Sequence, residues 1–186
     1  AIGEQAKKAL LQEAVQGKLV PQIAAEGNAA DLIKQIQAEK AQLIKAGKLK
    51  KEKPLPPITD EEKPFDIPES WCWCRWGELS ESIQYGFNAP AKEKGRIRMV
   101  RISDIQDNEV MWSTVPFCDI EESEIPTYIL RKNDILFART GGTVGKSFLV
   151  KDVPYESVYA GYLIRTRYSN NLVPQYLKFF MESQLY

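Results

Sequence analysis

Apolar residues at three- and four-residue intervals predict two amphipathic helices near the N-terminus. The stripe of the first helix consists of Ala6, Leu10, Leu11, Ala14 and Val15. Gly17 follows this stripe and is a natural end for the helix, because glycine accepts the left-handed conformation found just after many helices. The second helix lies between Asn28, whose side chain can cap its first turn, and Gly47.

Residues 48–68, KLKKEKPLPPITDEEKPFDIP, are charged, rich in proline and without an apolar period. This composition is typical of a linker, or of a strap that lies over a surface. It divides the chain into three predicted segments. These are a helix with an extended stretch over residues 1–22, a second helix with the charged linker over 23–64, and a domain over 65–186.

From Trp71 onward, short apolar runs alternate with turn residues. The runs are WCWCRW (71–76), IRMVRISDI (97–105), VMWSTVPF (110–117), DILFART (134–140), GKSFLVKDV (145–153) and SVYAGYLIRTRYS (157–169). Tight turns such as QDNE (106–109) favour antiparallel pairing, and a closing helix begins at Pro174. The sequence therefore predicts an α+β fold, in which a mainly antiparallel, twisted sheet follows an N-terminal pair of helices and precedes a C-terminal helix.

The segment ARTGGTVGKS (138–147) ends like a phosphate-binding P-loop, but its spacing and its context differ. The position that must hold the first glycine of a P-loop holds Thr140. The run after Lys146 is β-branched and aromatic, whereas the lysine of a P-loop opens a helix. The segment is therefore predicted to be the tip of a β-hairpin, either a plain tight turn or a turn whose backbone approaches a phosphate.

Composition removes several kinds of chemistry. The 186 residues include no histidine, which excludes the commonest general base, most zinc sites and the Ser-His-Asp triad. Motifs of adenine methyltransferases and nucleases are absent or incomplete, so no catalysis, metal or cofactor is expected. Cys72, Cys74 and Cys118 lack metal or secretory spacing, and there is no signal peptide or membrane-spanning run. We therefore expect reduced thiols and a cytoplasmic location.

The net charge is zero, but the charges are segregated along the chain. Residues 31–53 hold seven lysines against three acids, and residues 102–124 hold seven acids with no lysine or arginine. Residues 92–101 and 131–151 are basic again. This pattern suits a protein with one basic and one acidic face, although ordinary solvated loops and helix surfaces give similar patterns.

Five blocks of the sequence carry a resemblance to a known family. In order, they are ALLQEAVQGKLVPQ (9–22), DLIKQIQAEKAQLIKAGKLKKEKPLPP (31–57), FDIPESWCWCRWGEL (65–79), ILRKNDILFARTGGTVGK (129–146) and YAGYLIRTR (159–167). Together they resemble the specificity subunit of a type I restriction-modification system, over nearly the whole chain. The third and fourth blocks are similar to the framework of a target recognition domain.

The resemblance implies a DNA-reading subunit without catalysis of its own. In that family the subunit carries two target recognition domains, each of which reads one half of a split double-stranded DNA sequence. It binds adenine-methylating modification subunits and, for cleavage, ATP-driven restriction subunits. This chain carries one such domain and ends at Tyr186, which implies either a fragment or a half-subunit that dimerises.

The first helix is expected to form a subunit interface, again by resemblance. Its candidate interface residues are Leu10, Leu11 and Val15. A helix this short needs tertiary support to bury an apolar stripe. In this chain we therefore expect the stripe to contact its own domain or a second copy.

The residue types agree with a DNA-reading role, because Arg and Lys suit phosphates and guanine whereas Asn and Gln suit adenine. Candidate contacts in the stretch 82–98 are Gln84, Tyr85, Asn88, Lys92, Lys94, Arg96 and Arg98. Candidates at the glycine-rich hairpin are Arg139, Thr140 and Lys146, of which the two cations are expected to contact phosphates. Any of these side chains could instead only solvate a surface. A protein-interaction adaptor and an RNA-binding module remain alternatives for the whole chain.

Overall fold

The computed structural model describes residues 2–51, 53–140, 142, 144–183 and 185. Its helices are α1 (Ile2–Val15), α2 (Ala29–Lys45), α3 (Trp76–Leu79), α4 (Ile125–Tyr128) and α5 (Pro174–Glu182). Its strands are β1 (Ser80–Tyr85), β2 (Ile97–Val100), β3 (Ile105–Gln106), β4 (Glu109–Val110), β5 (Phe117–Cys118), β6 (Ile135–Ala138), β7 (Ser147–Leu149), β8 (Ser157–Tyr159) and β9 (Leu163–Tyr168). These elements form two compact units. The first consists of the residues up to Glu81 and those from Ser169 onward, and the second is Ser82–Tyr168.

Both N-terminal helices begin and end where the sequence predicts. After α1, Gly17 adopts a φ of 69°, and the N–H of Lys18 donates to the carbonyl of Glu13 at 2.9 Å. This arrangement provides hydrogen-bond donors for carbonyl groups that otherwise have no partner at the end of a helix. At the start of α2, the side chain of Asn28 accepts a hydrogen bond from the N–H of Ala30 at 2.7 Å. The predicted helix ends and the predicted cap are confirmed.

One glutamine connects the segment after α1 to the tryptophan-rich stretch of the first unit. The side-chain oxygen of Gln22 accepts hydrogen bonds from the indole N–H of Trp71 at 2.8 Å and from the hydroxyl of Ser70 at 3.2 Å. Its amide group donates to the carbonyl of Gly17 at 3.1 Å. Gln22 therefore ties two distant parts of the sequence together.

The charged, proline-rich segment is a strap that Arg75 holds in place. The guanidinium of Arg75 donates to both carboxylate oxygens of Glu62, at 2.7 and 2.8 Å, and to the carbonyls of Pro56 and Pro57 at 3.1 and 3.0 Å. Hydrogen bonds from Arg75 and Thr59 lower the pKa of Glu62 to about 2. A bidentate arginine–carboxylate pair fixes orientation as well as distance.

The alternating run WCWCRW does not form the predicted strand. Residues 71–75 have no regular structure, and α3 begins at Trp76. The alternation instead serves separate packing sites: the ring of Trp73 meets Phe65 edge-on at 5.0 Å, and that of Trp71 meets Tyr176 at 6.4 Å. A period of two therefore arose here from aromatic packing rather than from a β-ladder.

The second unit is built on two sheets and a hairpin. The larger sheet has the strand order β1-β9-β6-β7, and β6 is antiparallel to both β7 and β9. The smaller sheet has the order β5-β2-β8, in which β2 and β8 are parallel. The hairpin β3–β4 turns through Asp107 and Asn108, whose positive φ angles of 49° and 62° fit the predicted tight turn. The predicted α+β class, with mainly antiparallel sheet, is confirmed.

The buried apolar residues of the second unit form two clusters. The first lies on the smaller sheet and contains Ile97, Met99, Cys118, Ile120, Ile125, Val158 and Ala160. The second joins strands of both sheets and contains Val100, Val115, Leu130, Leu136, Val150, Tyr159 and Leu163. Strand residues therefore supply much of both clusters, whereas the residues just beyond the strand ends at Ala138 and Leu163 belong to neither.

Some chemistries can be checked directly on the described residues. The three cysteines have free thiols, and burial raises the pKa of Cys74 to about 12. The described residues contain no group of three or more His, Cys, Asp or Glu side chains that could hold a metal ion. In the same part of the chain, no helix has both the length and the apolar character needed to cross a membrane.

Candidate nucleic-acid interface

Four strand ends of the larger sheet meet at one edge of the second unit. Because β6 runs antiparallel to β7 and β9, its end at Ala138 lies beside the starts of both, with Ala138 opposite Leu163. The N–H of Gly86 donates to the carbonyl of Leu163 at 3.0 Å, which brings the end of β1 to the same place. The residues that these ends present are Tyr85, Arg139, Lys146 and Tyr162. We name this group the strand-end edge.

The glycine-rich segment forms a β-hairpin tip at this edge. The N–H of Ala138 donates to the carbonyl of Lys146 at 2.9 Å, and the N–H of Gly145 donates back to the carbonyl of Ala138 at 3.0 Å. Gly145 has a φ of 81°, a left-handed conformation that glycine adopts more easily than any other residue. Strand β7, and not a helix, follows Lys146, so the predicted hairpin is confirmed. Thr140 is exposed, while Gly141 and Thr143 lie outside the described residues.

Arg139 is held at the strand-end edge by two tyrosines. Its backbone N–H donates to the carbonyl of Tyr162 at 2.9 Å. Its guanidinium lies over the ring of Tyr85, 4.8 Å from the ring centroid. Tyr85 and Tyr162 are 56% and 49% exposed, so this group of side chains faces solvent.

The loop that follows β1 packs tightly on the segment 159–161. The N–H of Phe87 donates to the carbonyl of Tyr159 at 2.8 Å. A methyl group added at Gly86 would lie 2.1 Å from the carbonyl oxygen of Ala160, and one added at Gly161 would lie 1.9 Å from the side-chain oxygen of Asn88. The predicted contact residue Asn88 is exposed. Its side-chain oxygen lies against the Gly161 backbone, close to the strand-end edge.

Gln84 lies just before this loop and is half-buried. Its side-chain amide donates to the carbonyl of Tyr85 at 3.1 Å, and its own carbonyl accepts the hydroxyl of Tyr159 at 3.1 Å. The structure thus brings together six of the predicted contact residues in one region. They are Gln84, Tyr85, Asn88, Arg139, Thr140 and Lys146.

Two of the three basic residues between 92 and 96 pair with carboxylates in the segments that flank strands β5 and β8. Lys92 bonds to Asp119, and Arg96 bonds to Glu122 at 2.5 Å and to Glu156 at 3.3 Å. These hydrogen bonds lower the pKa values of Asp119 and Glu122 and raise that of Arg96. Lys94 is exposed, and no ion pair joins it to another described residue. The positive charge of this stretch is thus largely balanced locally.

Arg98 has an internal role in the second unit. Its guanidinium lies between the rings of Phe117 and Tyr155, at 4.8 and 4.3 Å from their centroids. It donates to the carbonyls of Trp112 and Val115 at 3.1 and 3.0 Å. This arrangement supports a packing role for Arg98. The contact of Arg98 with DNA stays a prediction.

Arginines of strand β9 are also used inside the fold. Arg165 is 4% exposed and donates to the carbonyls of Thr127 and Ile129 at 3.3 and 3.0 Å. Desolvation lowers its pKa. Arg167 forms two hydrogen bonds of 2.8 Å with the buried carboxylate of Asp134. Both arginines donate to the carbonyl of Ile129, the residue just after α4, so these donors are used inside the fold.

Tyr162 is the residue of the strand-end edge that the candidate list missed. Sequence alternation places the side chain of Tyr162 opposite to that of the buried Leu163, and therefore outward. A tyrosine before an apolar strand does not, however, stand out as a contact residue. The pKa of Arg101 is raised chiefly by a hydrogen bond to Asp104, and only slightly by Tyr162. Arg101 and the buried Asp104 are joined at 2.8 Å.

The candidate interface residues of α1 differ in exposure. Leu10 is 56% exposed, Leu11 is half-buried and Val15 is 4% exposed. Val15 lines an apolar cavity of about 150 Å³ in the first unit, together with Trp71 and Leu177. One end of the stripe is therefore covered by the chain itself, while Leu10 faces solvent.

Solved structures identify the class of fold. The HsdS subunit from Thermoanaerobacter tengcongensis matches 95% of this chain and 38% of its own, with a TM-score of 0.50 at 15% identity. A chain from a study of assembly and conformational transition in the type I R-M system matches 82% of this chain and 35% of its own, with a TM-score of 0.51 at 17% identity. The chain has the fold of these proteins.

Sequence relatives identify the family, although no family model matches. The EcoAI type I restriction enzyme specificity subunit of Escherichia coli is 43% identical over 134 residues, which are 71% of this chain and 23% of that subunit. The EcoEI specificity subunit, also from Escherichia coli, is 34% identical over 169 residues, 86% of this chain and 28% of that subunit. The chain belongs to the family of type I restriction enzyme specificity subunits. It spans about a quarter of the length of these relatives.

Proposed function

We propose that this chain reads one half of a bipartite DNA target on behalf of a type I restriction-modification enzyme. Family membership supports the proposal, because the relatives carry the name of specificity subunits. The predicted recognition domain over residues 65–186 includes the whole of the second unit, Ser82–Tyr168. In this proposal the second unit contacts DNA.

The strand-end edge is the observation that carries the proposal. Arg139 and Lys146 are exposed there, and no ion pair joins either of them to a described carboxylate. Two exposed tyrosines lie with them. Cations that no acid neutralises attract phosphates, and exposed rings beside them suit contact with sugars and bases.

The rigid support behind this edge also favours a recognition role. Strands β6 and β9 are largely buried, and Ile135, Leu136 and Leu163 are inaccessible to solvent. Contact residues at the ends of such strands keep their positions without a bound partner. Base reading needs that precision, because a donor displaced by an ångström no longer meets its acceptor.

The chain is proposed to act without catalysis and to work through partners. Modification subunits would methylate the DNA that it reads, and restriction subunits would cleave it. The helix stripe of Leu10, Leu11 and Val15 is proposed as a subunit interface, or as a surface through which two copies associate. The exposure of Leu10 supports this role, since the chain leaves that side chain uncovered.

Selection from a random DNA duplex pool tests the proposed function. The protein, assembled with its modification subunits, is expected to enrich duplexes that share one short consensus for this domain. Affinity should fall steeply as salt rises, because each cation of the protein that contacts a phosphate releases a counterion from the DNA. Non-specific binding should be weak, with a Kd of about 10⁻⁴ to 10⁻⁶ M at physiological salt.

Two controls are used: a matched pool of single-stranded RNA, and the random duplex pool before selection. Equal capture of every duplex, or preferential capture of RNA, would contradict the proposal. A tight, salt-independent complex with a free nucleotide would contradict it as well.

A further inference from the structure

Three arginines of the second unit lie over aromatic rings, and they differ in how their donors are used. Arg98, over Phe117 and Tyr155, donates to two backbone carbonyls. Arg165, over Tyr159 at 5.5 Å, also donates to two carbonyls. Both guanidinium groups are thereby tied to the fold.

Arg139 is stacked in the same way, but its donors remain unused. Its guanidinium lies 4.8 Å from the ring centroid of Tyr85. In the described part of the chain, its side chain forms no hydrogen bond and no ion pair. When a guanidinium stacks on an aromatic ring, its N–H groups lie in the plane of the guanidinium and point away from the ring face. The donors of the exposed Arg139 are therefore available to a ligand, while the ring of Tyr85 restricts the position of the guanidinium.

The base of this side chain is fixed as firmly as its tip. Ala138, the preceding residue, is 3% exposed and lies in strand β6. The N–H of Arg139 itself is bonded to Tyr162. An arginine that is held at its backbone and at its guanidinium loses little conformational entropy when it meets a ligand.

Resting on the proposed function, we propose that Arg139 reads a guanine in the major groove and that Tyr85 is its positioning residue. Guanine presents two acceptors there, O6 and N7, at the spacing of two N–H groups of one guanidinium. This assignment differs from the phosphate contact that charge alone predicts for Arg139. A phosphate contact needs only a positive charge. Lys146 is exposed, and no aromatic ring among the described residues lies under its ammonium group, so it is suited to that task.

The first experiment compares consensus sequences selected by variants of the assembled methyltransferase. Arg139→Lys keeps the charge but removes the fork, so the preference for guanine at one position should fall by about 10-fold or more. Tyr85→Ala should weaken the preference for guanine at the same position. Tyr85→Phe, which keeps the ring, should retain the wild-type preference. Lys146→Ala is the matched control, and it should weaken binding to all duplexes while the consensus stays the same.

The second experiment changes the DNA instead of the protein. A duplex with 7-deazaguanine at that position lacks the N7 acceptor but keeps base pairing. Wild-type affinity should fall by about 10-fold, whereas the Arg139→Ala variant should bind both duplexes equally, because it has no contact left to lose.

The outcomes separate the inference from the proposed function. If Arg139→Lys and Tyr85→Ala leave the consensus intact, and Arg139→Ala weakens all duplexes alike, Arg139 contacts phosphate and the inference is wrong. A relaxed position that is an A·T pair, or one insensitive to 7-deazaguanine, also overturns it. In those cases the wild-type protein still selects a consensus, so the proposed function stands. A wild-type protein that selects no consensus refutes both.

Discussion

The indole N–H of Trp71 donates to the side-chain oxygen of Gln22 over 2.8 Å, and this bond joins two of the most distinctive sequence blocks of the first unit. Gln22 ends the block 9–22, and Trp71 opens the tryptophan-rich stretch of the block 65–79. The same oxygen also accepts the hydroxyl of Ser70. The two blocks therefore depend on each other structurally.

Replacing Gln22 should destabilise the first unit. Gln22→Leu removes the acceptor of Trp71 and the donor to Gly17, and the loss of such bonds costs about 1–2 kcal/mol. Urea unfolding followed by tryptophan fluorescence measures the change. Gln37→Leu, at an exposed position of α2, is the control and should cost far less. Equal stability of the two variants would mean that the Gln22–Trp71 bond is dispensable.

Acid should release the strap through Glu62. Its pKa is about 2 in the folded protein against an ordinary value of 4.5. A lowered folded pKa contributes stability that is fully present above 4.5 and is lost as the pH falls towards 2. The difference in Tm between wild type and Glu62→Gln should therefore be constant near neutral pH and shrink across that window.

Glu61→Gln is the matched control for the strap, because Glu61 is exposed and adjacent in the sequence. Thermal unfolding of this variant should follow wild type at every pH. A Glu62→Gln variant whose Tm already equals that of wild type at pH 7 would show that the Arg75–Glu62 pair contributes no stability.

The loop after β1 should tolerate no side chain at position 86. In Gly86→Ala, the new methyl group would lie 2.1 Å from the carbonyl oxygen of Ala160. Backbone must then move, and overpacking of this kind costs about 1–3 kcal/mol. Gly142→Ala is the control, because a methyl group there meets nothing within 4 Å. Urea unfolding compares the two, and similar midpoints would contradict the tight packing of this loop.

Charge removal at the strand-end edge should be visible in the salt dependence of DNA binding. Lys146→Ala is expected to reduce the slope of log affinity against log salt by about 0.9, the value for one phosphate contact. Lys92→Ala should change the slope less, because Lys92 is already bonded to Asp119.

Lys8→Ala, at an exposed position of α1, is the control for this measurement. Titrations of one duplex at several salt concentrations give all three slopes. A slope for Lys146→Ala that equals that of Lys8→Ala would place the phosphate contacts elsewhere on the molecule.

Local patterns of the sequence were sufficient to predict the two N-terminal helices, the C-terminal helix, the hairpin and the fold class, but not the short helices α3 and α4. Helix ends at Gly17 and Gly47 depend on a few neighbouring residues, and so does the turn through Asp107 and Asn108. The same holds for the hairpin tip at Gly145. Features decided within about five residues are accessible to inspection of a sequence.

Long-range contacts escaped prediction. The parallel pairing of β2 with β8 joins Arg98 to Ser157, and no local pattern marks it. The distinction between Arg139, whose donors are free, and Arg98, whose donors meet carbonyls of the fold, depends on segments far apart in the chain. Sequence identifies an arginine but not the acceptors around it, so it cannot tell a packing residue from a contact residue.

The strand-end edge has a consequence for how such a protein can change over evolution. Tyr85, Arg139, Lys146 and Tyr162 lie at or beside strand ends and are exposed, whereas strands β6 and β9 are largely buried. Substitutions there should cost little folding free energy, since surface changes are usually within about 0.5 kcal/mol. If the strand-end edge reads DNA as proposed, a lineage can exchange these side chains and acquire a new target sequence while it keeps a fully folded intermediate at every step.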